Sequence, residues 1–357
     1  MLIVHNPLHA HHQGRQEMYR GRLVPCHEVP ARLDHVLAEL RRRSFGDLRP
    51  LDKVAPAVGD AEFDALLARV HQPRYLTFLA EAWDEWVALD PANAALDALP
   101  SVWPVRGFRA DLVPANFAAR LGLFSFDAGT PLTAGTWTAA RAGAHCAVLA
   151  ARAVAGPDRS TRSAFALTRP PGHHAGADFF GGYCFLNNAA LAAQALRERG
   201  CARVAVLDVD YHHGNGTQSL FYTRPDVLTV SVHGDPRTEY PFYLGHADER
   251  GDGEGHGCNL NLPLPRGTGF DGWMSALHQA LDAIVHFDAQ ALVVALGVDT
   301  FEGDPISGFR LRSADYLRVG ATLASLRLPT VFTFEGGYAV DEVGVNAVNV
   351  LQGFEAG

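Results

Sequence analysis

Hydrophobic and polar positions divide the 357-residue chain unevenly. Beyond residue 160, short apolar runs alternate with segments of helical period. The runs at 164–167 (AFAL), 204–209 (VAVLDV), 227–232 (VLTVSV), 291–296 (ALVVAL) and 330–334 (TVFTF) are nearly continuous rather than alternating. Such runs predict strands buried on both faces, as a parallel sheet requires. Helices are predicted among them. Segment 187–199 starts at Asn187 and stops before Gly200, a matched pair of caps. Segment 270–287 sets Trp273, Leu277, Leu281, Ile284 and Val285 on one stripe. Segment 313–326 opens with Ser313 and carries Asp315 in its first turn, and the Ala-rich 136–154 runs up to Gly156-Pro157. Upstream, 63–70 and 74–89 have helical period, while 99–135 is rich in Pro, Gly and aromatics with little periodicity. A loop that long is usually functional or an interface element. Strands alternating with helices indicate one α/β domain over 1–357, a mainly parallel central sheet flanked by helices, with a long insertion at about 99–135.

Composition narrows the function classes. With 48% hydrophobic and 19% charged residues the chain has an ordinary globular make-up. Thirty basic residues face 39 acidic ones, a net charge of −9, and no Lys/Arg run offers nucleic acid a basic face. No apolar run approaches the ~18 residues of a membrane span. Five cysteines lie scattered without a CxxC pair, which argues against a disulfide framework. The opening MLIVHN lacks the charge and apolar length of a signal peptide, so a cytoplasmic location is expected. Seventeen histidines are the unusual number. His9, His11 and His12 read as incidental members of a polar stretch; others keep company with Asp and Gly.

Those richer clusters all follow strands: RPPGHHA at 169–175, DVDYHHGNGTQ at 208–218, LGVDTFEGDP at 296–305 and EGGY at 335–338. Ligands of open α/β sheets bind beyond the carboxyl ends of the strands, so four clusters on one edge can converge. At period two, Asp208, Asp210 and His212 point the same way. Asp210 and His212 can ligate one divalent cation, with Asp299 as the natural third ligand and an open position left for chemistry. Zinc suits this set best, although Fe(II), Co(II) or Mn(II) would also bind. The tandem His173-His174 sits on a rigid Pro-Pro turn and supplies a general base, with Asp208 and Asn215 available to orient the two rings. Two further metal ligands, as in arginase-type sites with two Mn(II), are the competing reading of that pair. Tyr338, after two glycines, can donate to a developing oxyanion. Cys184 reads as wall packing. With no evident nucleophilic Ser or Cys, the parts indicate metal-assisted hydrolysis of an amide or ester.

These stretches, together with FFGGYCFLNNAA, SVHGDP and LGVDTFEGDPISGF, resemble the histone deacetylase superfamily, most closely its bacterial acetylpolyamine amidohydrolases. The resemblance covers essentially the whole chain. It implies an arginase/deacetylase-like fold and a zinc site of Asp210, His212 and Asp299. It implies His174 as general base, held by Asn215 where many relatives have Asp, with His173 assisting and held by Asp208. It also implies Tyr338 polarising the scissile carbonyl, Gly182 accepting the substrate amide N–H, and Tyr183 and Tyr240 walling a narrow tunnel. Glu17 matches an acidic residue near that tunnel. A structural potassium ion is implied near Asp208, Asp210, His212 and Ser231, and a homodimer through the 99–135 insertion, which narrows the tunnel mouth.

The expected activity is therefore zinc-dependent removal of acetyl groups from small N-acetylated amines by metal-activated water attack. An acetyl-lysine peptide or protein deacetylase is the alternative within the superfamily, and a non-catalytic acyl-amine binding protein is the alternative outside it. Against polyamine preference, Ala118-Ala119 stand where relatives carry acids. Asp111 and Asp127 are the only acids between Asp97 and Gly156, and Arg106 and Arg109 add positive charge.

Overall fold

The computed structural model describes residues 1–54, 60–105, 107–156 and 161–357. Arg106 and Pro157 lie outside the described residues. Ten strands run in chain order: β1 Leu2–His5, β2 Gln16–Tyr19, β3 Arg22–Pro25, β4 Asp47–Pro50, β5 Ser163–Leu167, β6 Val204–Asp208, β7 Val227–Gly234, β8 Asn259–Leu264, β9 Ala291–Leu296 and β10 Thr330–Phe334. The helices are α1 Ala31–Arg42, α2 Leu51–Val54, α3 Asp60–Val70, α4 Pro73–Leu89, α5 Phe117–Leu123, α6 Thr136–Val154, α7 Asn188–Glu198, α8 Asn215–Phe221, α9 Phe270–His286, α10 Asp315–Ala324 and α11 Val340–Ala356. Eight strands form one parallel sheet in the order β4-β1-β5-β10-β9-β6-β7-β8, and β2 and β3 make a separate antiparallel hairpin.

Alternation along the central strands sorts the two layers. Ala164, Ala166, Val204, Val206, Ala291, Val293, Ala295 and Val331 face one core, shared with the Ala-rich α6 and α7. Phe165, Leu207, Leu292, Val294, Leu296, Phe332 and Phe334 face the other, shared with α1, α9, α10 and α11. Small residues on strand and helix alike let α6 and α7 lie close on the sheet, while the opposite face fills its space with bulk. All five runs predicted as strands are strands. The edge strands β4 and β8 and the short β1 add to the five: β4 (DLRP) is polar and β8 (NLNLPL) alternates, so neither gives a continuous apolar run.

The N-terminal region is more ordered than its sequence pattern implies. His9 and His12 are buried rather than incidental, and His12 Nδ1 lies 3.0 Å from Thr136 Oγ1. Glu28, buried just ahead of α1, pairs with two buried guanidiniums: Arg32 at 2.9 Å and Arg169, bidentately, at 2.8 and 2.9 Å. Arg32 donates onward to the carbonyls of Gly337 and Glu335, and Arg169 to that of His9. One carboxylate thus ties the N-terminal segment to the loops after β5 and β10. Glu28→Ala leaves two buried cations facing each other without their shared carboxylate. It is expected to cost about 3–5 kcal/mol, read as a lowered urea midpoint; a loss below about 1 kcal/mol would refute the clamp.

Candidate active site at the carboxyl edge of the sheet

Each polar cluster leaves the end of one of four adjacent strands, β5, β10, β9 and β6, so loops distant in sequence meet at one edge. The turn after β5 carries His173 and His174, and its backbone is pinned by Glu335, whose Oε2 accepts from Gly172 N at 2.6 Å and His173 N at 3.1 Å. Burial pushes the Glu335 carboxyl up to about 7.

Asp210, His212 and Asp299 come together as expected, with donor atoms all within 4.8 Å of one another. Both aspartates are fully buried. Their outer lone pairs are held by backbone: Gly336 N donates to Asp210 Oδ2 at 2.7 Å, His212 N to Asp210 Oδ1 at 2.9 Å, and Tyr211 N to Asp299 Oδ1 at 2.8 Å. His212 Nδ1 faces Asp299 Oδ2 at 3.0 Å and Asp210 Oδ1 at 3.3 Å. Burial and the neighbouring Asp210 charge push Asp299 up to about 8. Two buried carboxylates with one imidazole between them carry an excess of negative charge that a divalent cation would neutralise, so the donor set fits one metal ion. A second cluster of His173, Cys184 and Glu335 does not make a comparable site. Its carboxylate is already occupied by N–H groups, and the Cys184 thiol, pushed up by burial, donates to Gly182 O at 3.2 Å.

Asp208 is separate from the ligand set: its Oδ2 meets His173 Nδ1 at 2.9 Å. Burial disfavours a charged His173, but Asp208 and Asp210 outweigh it and raise the ring to about 10. His174 is the reverse case. Its Nδ1 lies 2.7 Å from Asn215 Oδ1, an atom that only accepts, so Nδ1 carries the proton and Nε2 keeps its lone pair. Burial, reinforced by the charges of His173 and His212, holds His174 well below its ordinary value. The paired rings, 4.0 Å apart, are therefore biased in opposite directions, His173 toward its charged form and His174 toward its neutral one.

Over this floor opens a cavity of about 300 Å³ lined by His174, His212, Gly182, Tyr183, Tyr240, Tyr338 and Glu17. Tyr338 is fixed at its backbone by Asp304 Oδ2, 2.7 Å from its N–H, and the Arg32 guanidinium lies 4.6 Å from its ring centre. Tyr183 and Tyr338 meet edge to face at 5.5 Å. Gly182 has φ +53°, and a Cβ there would lie 2.1 Å from the His174 ring, so only glycine lets this turn pass the histidine. Glu17 arrives on the β2–β3 hairpin and accepts from the Tyr183 hydroxyl at 2.9 Å.

Ser231 stands apart from the cavity. It is in register with Asp208 across β6 and β7, and its Oγ lies 2.8 Å from His233 Nδ1. Three contributors have no role that the sequence pattern could assign: Asp304 beneath Tyr338, Asp127, which lines the cavity, and Phe126, which packs behind its rings. Phe126 packs on His174 at 6.4 Å and on Tyr240 at 5.8 Å. In the outer insertion, Arg109 is paired with Asp111.

With this geometry in place, comparison with known proteins is direct. The histone deacetylase domain matches residues 26–354. The chain is 50% identical to acetylpolyamine amidohydrolase 2 of Pseudomonas aeruginosa over 99% of both chains. It is 43% identical to the acetylpolyamine amidohydrolase of Mycoplana ramosa, again over 99% of both. The crystal structure of acetylpolyamine aminohydrolase from Burkholderia pseudomallei superposes with a TM-score of 0.91 at 39% identity, covering 100% of this chain and 99% of that one. A domain match across most of the length, relatives this similar end to end and a superposition that spans the whole chain place it in the histone deacetylase family.

Proposed function

We propose that the chain is a zinc-dependent amidohydrolase that removes acetyl groups from small N-acetylated amines of the acetylpolyamine class. The observation that carries this reading is the buried Asp210–His212–Asp299 trio next to His174, oriented by Asn215, at the floor of a tyrosine-walled cavity. The names of the half-identical relatives support the substrate class. A divalent ion held by the trio would supply Lewis acidity toward the acyl oxygen and the attacking water.

The chain's own groups do the rest. His174 Nε2 takes a proton from the water as its oxygen adds to the acyl carbon. The Tyr338 hydroxyl donates to the oxyanion that develops. The Gly182 carbonyl accepts the substrate amide N–H and sets the acyl group against Tyr338. The C–N bond then breaks, the proton passes to the departing nitrogen, and acetate and the free amine leave. Asp208 keeps His173 charged beside the base, and Asn215 fixes the His174 tautomer. A structural potassium ion near Asp208, Asp210, His212 and Ser231 belongs to the same proposal, supported by the Asp208–Ser231 register. Among the described residues no helix is long and apolar enough to cross a membrane.

Three outcomes are expected. Zinc-loaded enzyme hydrolyses acetylputrescine, acetylcadaverine and acetylspermidine, loses activity on chelation, and binds one divalent ion per chain. Hydrolysis of an acetyl-lysine peptide alone would replace the polyamine reading, and two divalent ions per chain would favour the arginase-type alternative. His174→Ala and Tyr338→Phe each lower kcat by about 10²–10³ with metal content unchanged; full activity in both would leave only an acyl-amine binding protein. Val102, Val105, Phe108, Leu112 and Val113 are exposed along the insertion and support a homodimer built on it. Sizing chromatography is expected to show a dimer that Phe108→Asp converts to monomer.

A further inference from the structure

The β2–β3 hairpin borders the cavity, contributing Glu17, Met18, Tyr19 and Arg20 to its lining. Glu17 is buried, and it accepts from the Tyr183 hydroxyl at 2.9 Å and meets the His27 imidazole at 2.7 Å. The 126–130 segment abuts the same strand: a Cβ on Gly129 would lie 3.2 Å from the Met18 carbonyl oxygen. The base of the hairpin is therefore fastened on two sides, which fixes where its turn stands.

That turn is an uncommon place for an arginine. Tyr19 and Arg22 are the last paired positions, so Arg20 and Gly21 form a two-residue connection, with φ +49° and +79°. A hairpin this tight needs left-handed backbone at both central positions, which Asn, Asp and Gly adopt far more readily than arginine does. Arg20 is exposed, and its guanidinium lies over the Tyr19 ring at 5.0 Å. It makes no hydrogen bond or ion pair among the described residues, and among them it is the one arginine or lysine on the lining. The carboxylates of the lining are engaged already. Glu17 has His27 and Tyr183, and Glu239 has the Arg266 guanidinium at 3.1 and 3.3 Å. Asp127 accepts from Gly182 N at 2.7 Å, the Tyr240 hydroxyl at 2.6 Å and Gly129 N at 3.0 Å.

We propose that Arg20 is a specificity-determining residue that receives a carboxylate at the far end of the substrate, so that the enzyme also deacetylates ω-acetamidoalkanoates to acetate and an ω-amino acid. The inference rests on the deacetylase reading above and widens its substrate class. A guanidinium presents a planar fork of N–H donors that matches a carboxylate, and the fork of Arg20 has no acceptor of its own. The Tyr19 ring holds the cation at the mouth without neutralising it. An ammonium brought to the same place would meet a like charge.

The test compares metal-loaded wild type, Arg20→Gly and Arg20→Lys on 6-acetamidohexanoate, N-acetylcadaverine and N-hexylacetamide. These share one pentamethylene chain and end in a carboxylate, an ammonium and a methyl. Glycine suits the positive φ of the turn better than arginine, so Arg20→Gly removes the charge and keeps the hairpin. It is expected to lower kcat/KM for 6-acetamidohexanoate about tenfold, mainly through KM, and to raise it for acetylcadaverine roughly twofold. N-Hexylacetamide shows neither change. Arg20→Lys keeps the charge and is expected to retain turnover of the carboxylate within about threefold of wild type. Changes of opposite sign on the two charged substrates are what a loosened hairpin would not produce. An equal effect of Arg20→Gly on all three substrates overturns the inference and leaves deacetylation standing, as does hydrolysis of acetylcadaverine by a wild type inert toward 6-acetamidohexanoate. Absence of turnover on every acylated amine overturns the deacetylase reading and this inference with it.

Discussion

Two aspartates buried at the ends of adjacent strands impose the strictest demand on this structure. Asp210 follows β6, Asp299 follows β9, and both are wholly removed from solvent with donor atoms less than 4.8 Å apart. At an effective dielectric near 20, two such charges repel by roughly 3 kcal/mol, before the cost of drying either one. The surroundings answer this demand atom by atom. Backbone N–H groups of Gly336, Tyr211 and His212 point inward, and side chains are excluded where they would block the approach. A Cβ on Gly297 would lie 2.1 Å from Asp210 Oδ2, and one on Gly336 only 2.5 Å from it. Gly297 of LGVD and the first glycine of EGGY, Gly336, are there because the carboxylate occupies their side-chain space. What backbone dipoles and one imidazole leave unneutralised is the natural place for a divalent cation.

The neighbouring histidines show how one sequence repeat can yield two electrostatic states. His173 and His174 share a turn and a depth of burial, but one ring faces Asp208 and the other Asn215. A carboxylate stabilises an imidazolium; an amide oxygen fixes a tautomer without supplying charge. The pair is therefore biased in opposite senses, and the charge favoured on His173 discourages protonation of its neighbour. The proposed base is kept ready by the residue next to it.

Much of this was legible in the sequence because the parallel sheet forces chemistry to strand ends. Runs such as ALVVAL and TVFTF are buried on both faces, so the strand and the start of its loop are marked by one abrupt change to Gly, Asp and His. The same logic fails at the edges: β4 and β8 are covered less completely and carry polar residues, so they look like loops. It fails again for residues that reach the site from irregular chain. Glu17 lies on a two-stranded hairpin outside the sheet and was placed only by family resemblance. Asp304 lies among recognised residues, but its task, holding the Tyr338 backbone 34 positions away, depends on the loops of β9 and β10 being neighbours. Asp127 was visible only as one of two acids in a long stretch, because its partners stand 55 and 113 residues further along.

The irregular stretch 99–135 also ties the cavity walls to the packing. Its outer part, around 102–113, exposes apolar side chains, whereas 126–130 contacts the turn after β5 and the loop that bears Tyr240. Between them α5 buries Phe117 and Leu121 against the core, so the two ends belong to one packed element. The hydroxyls of Tyr183 and Tyr240 each end on a carboxylate, Glu17 on one side and Asp127 on the other. The two tyrosine walls and the two carboxylates are consequently held by the same hydrogen bonds. A substitution that loosened Asp127 would release a wall as well as remove a charge, which is why an isosteric amide, and not a truncation, separates the two effects.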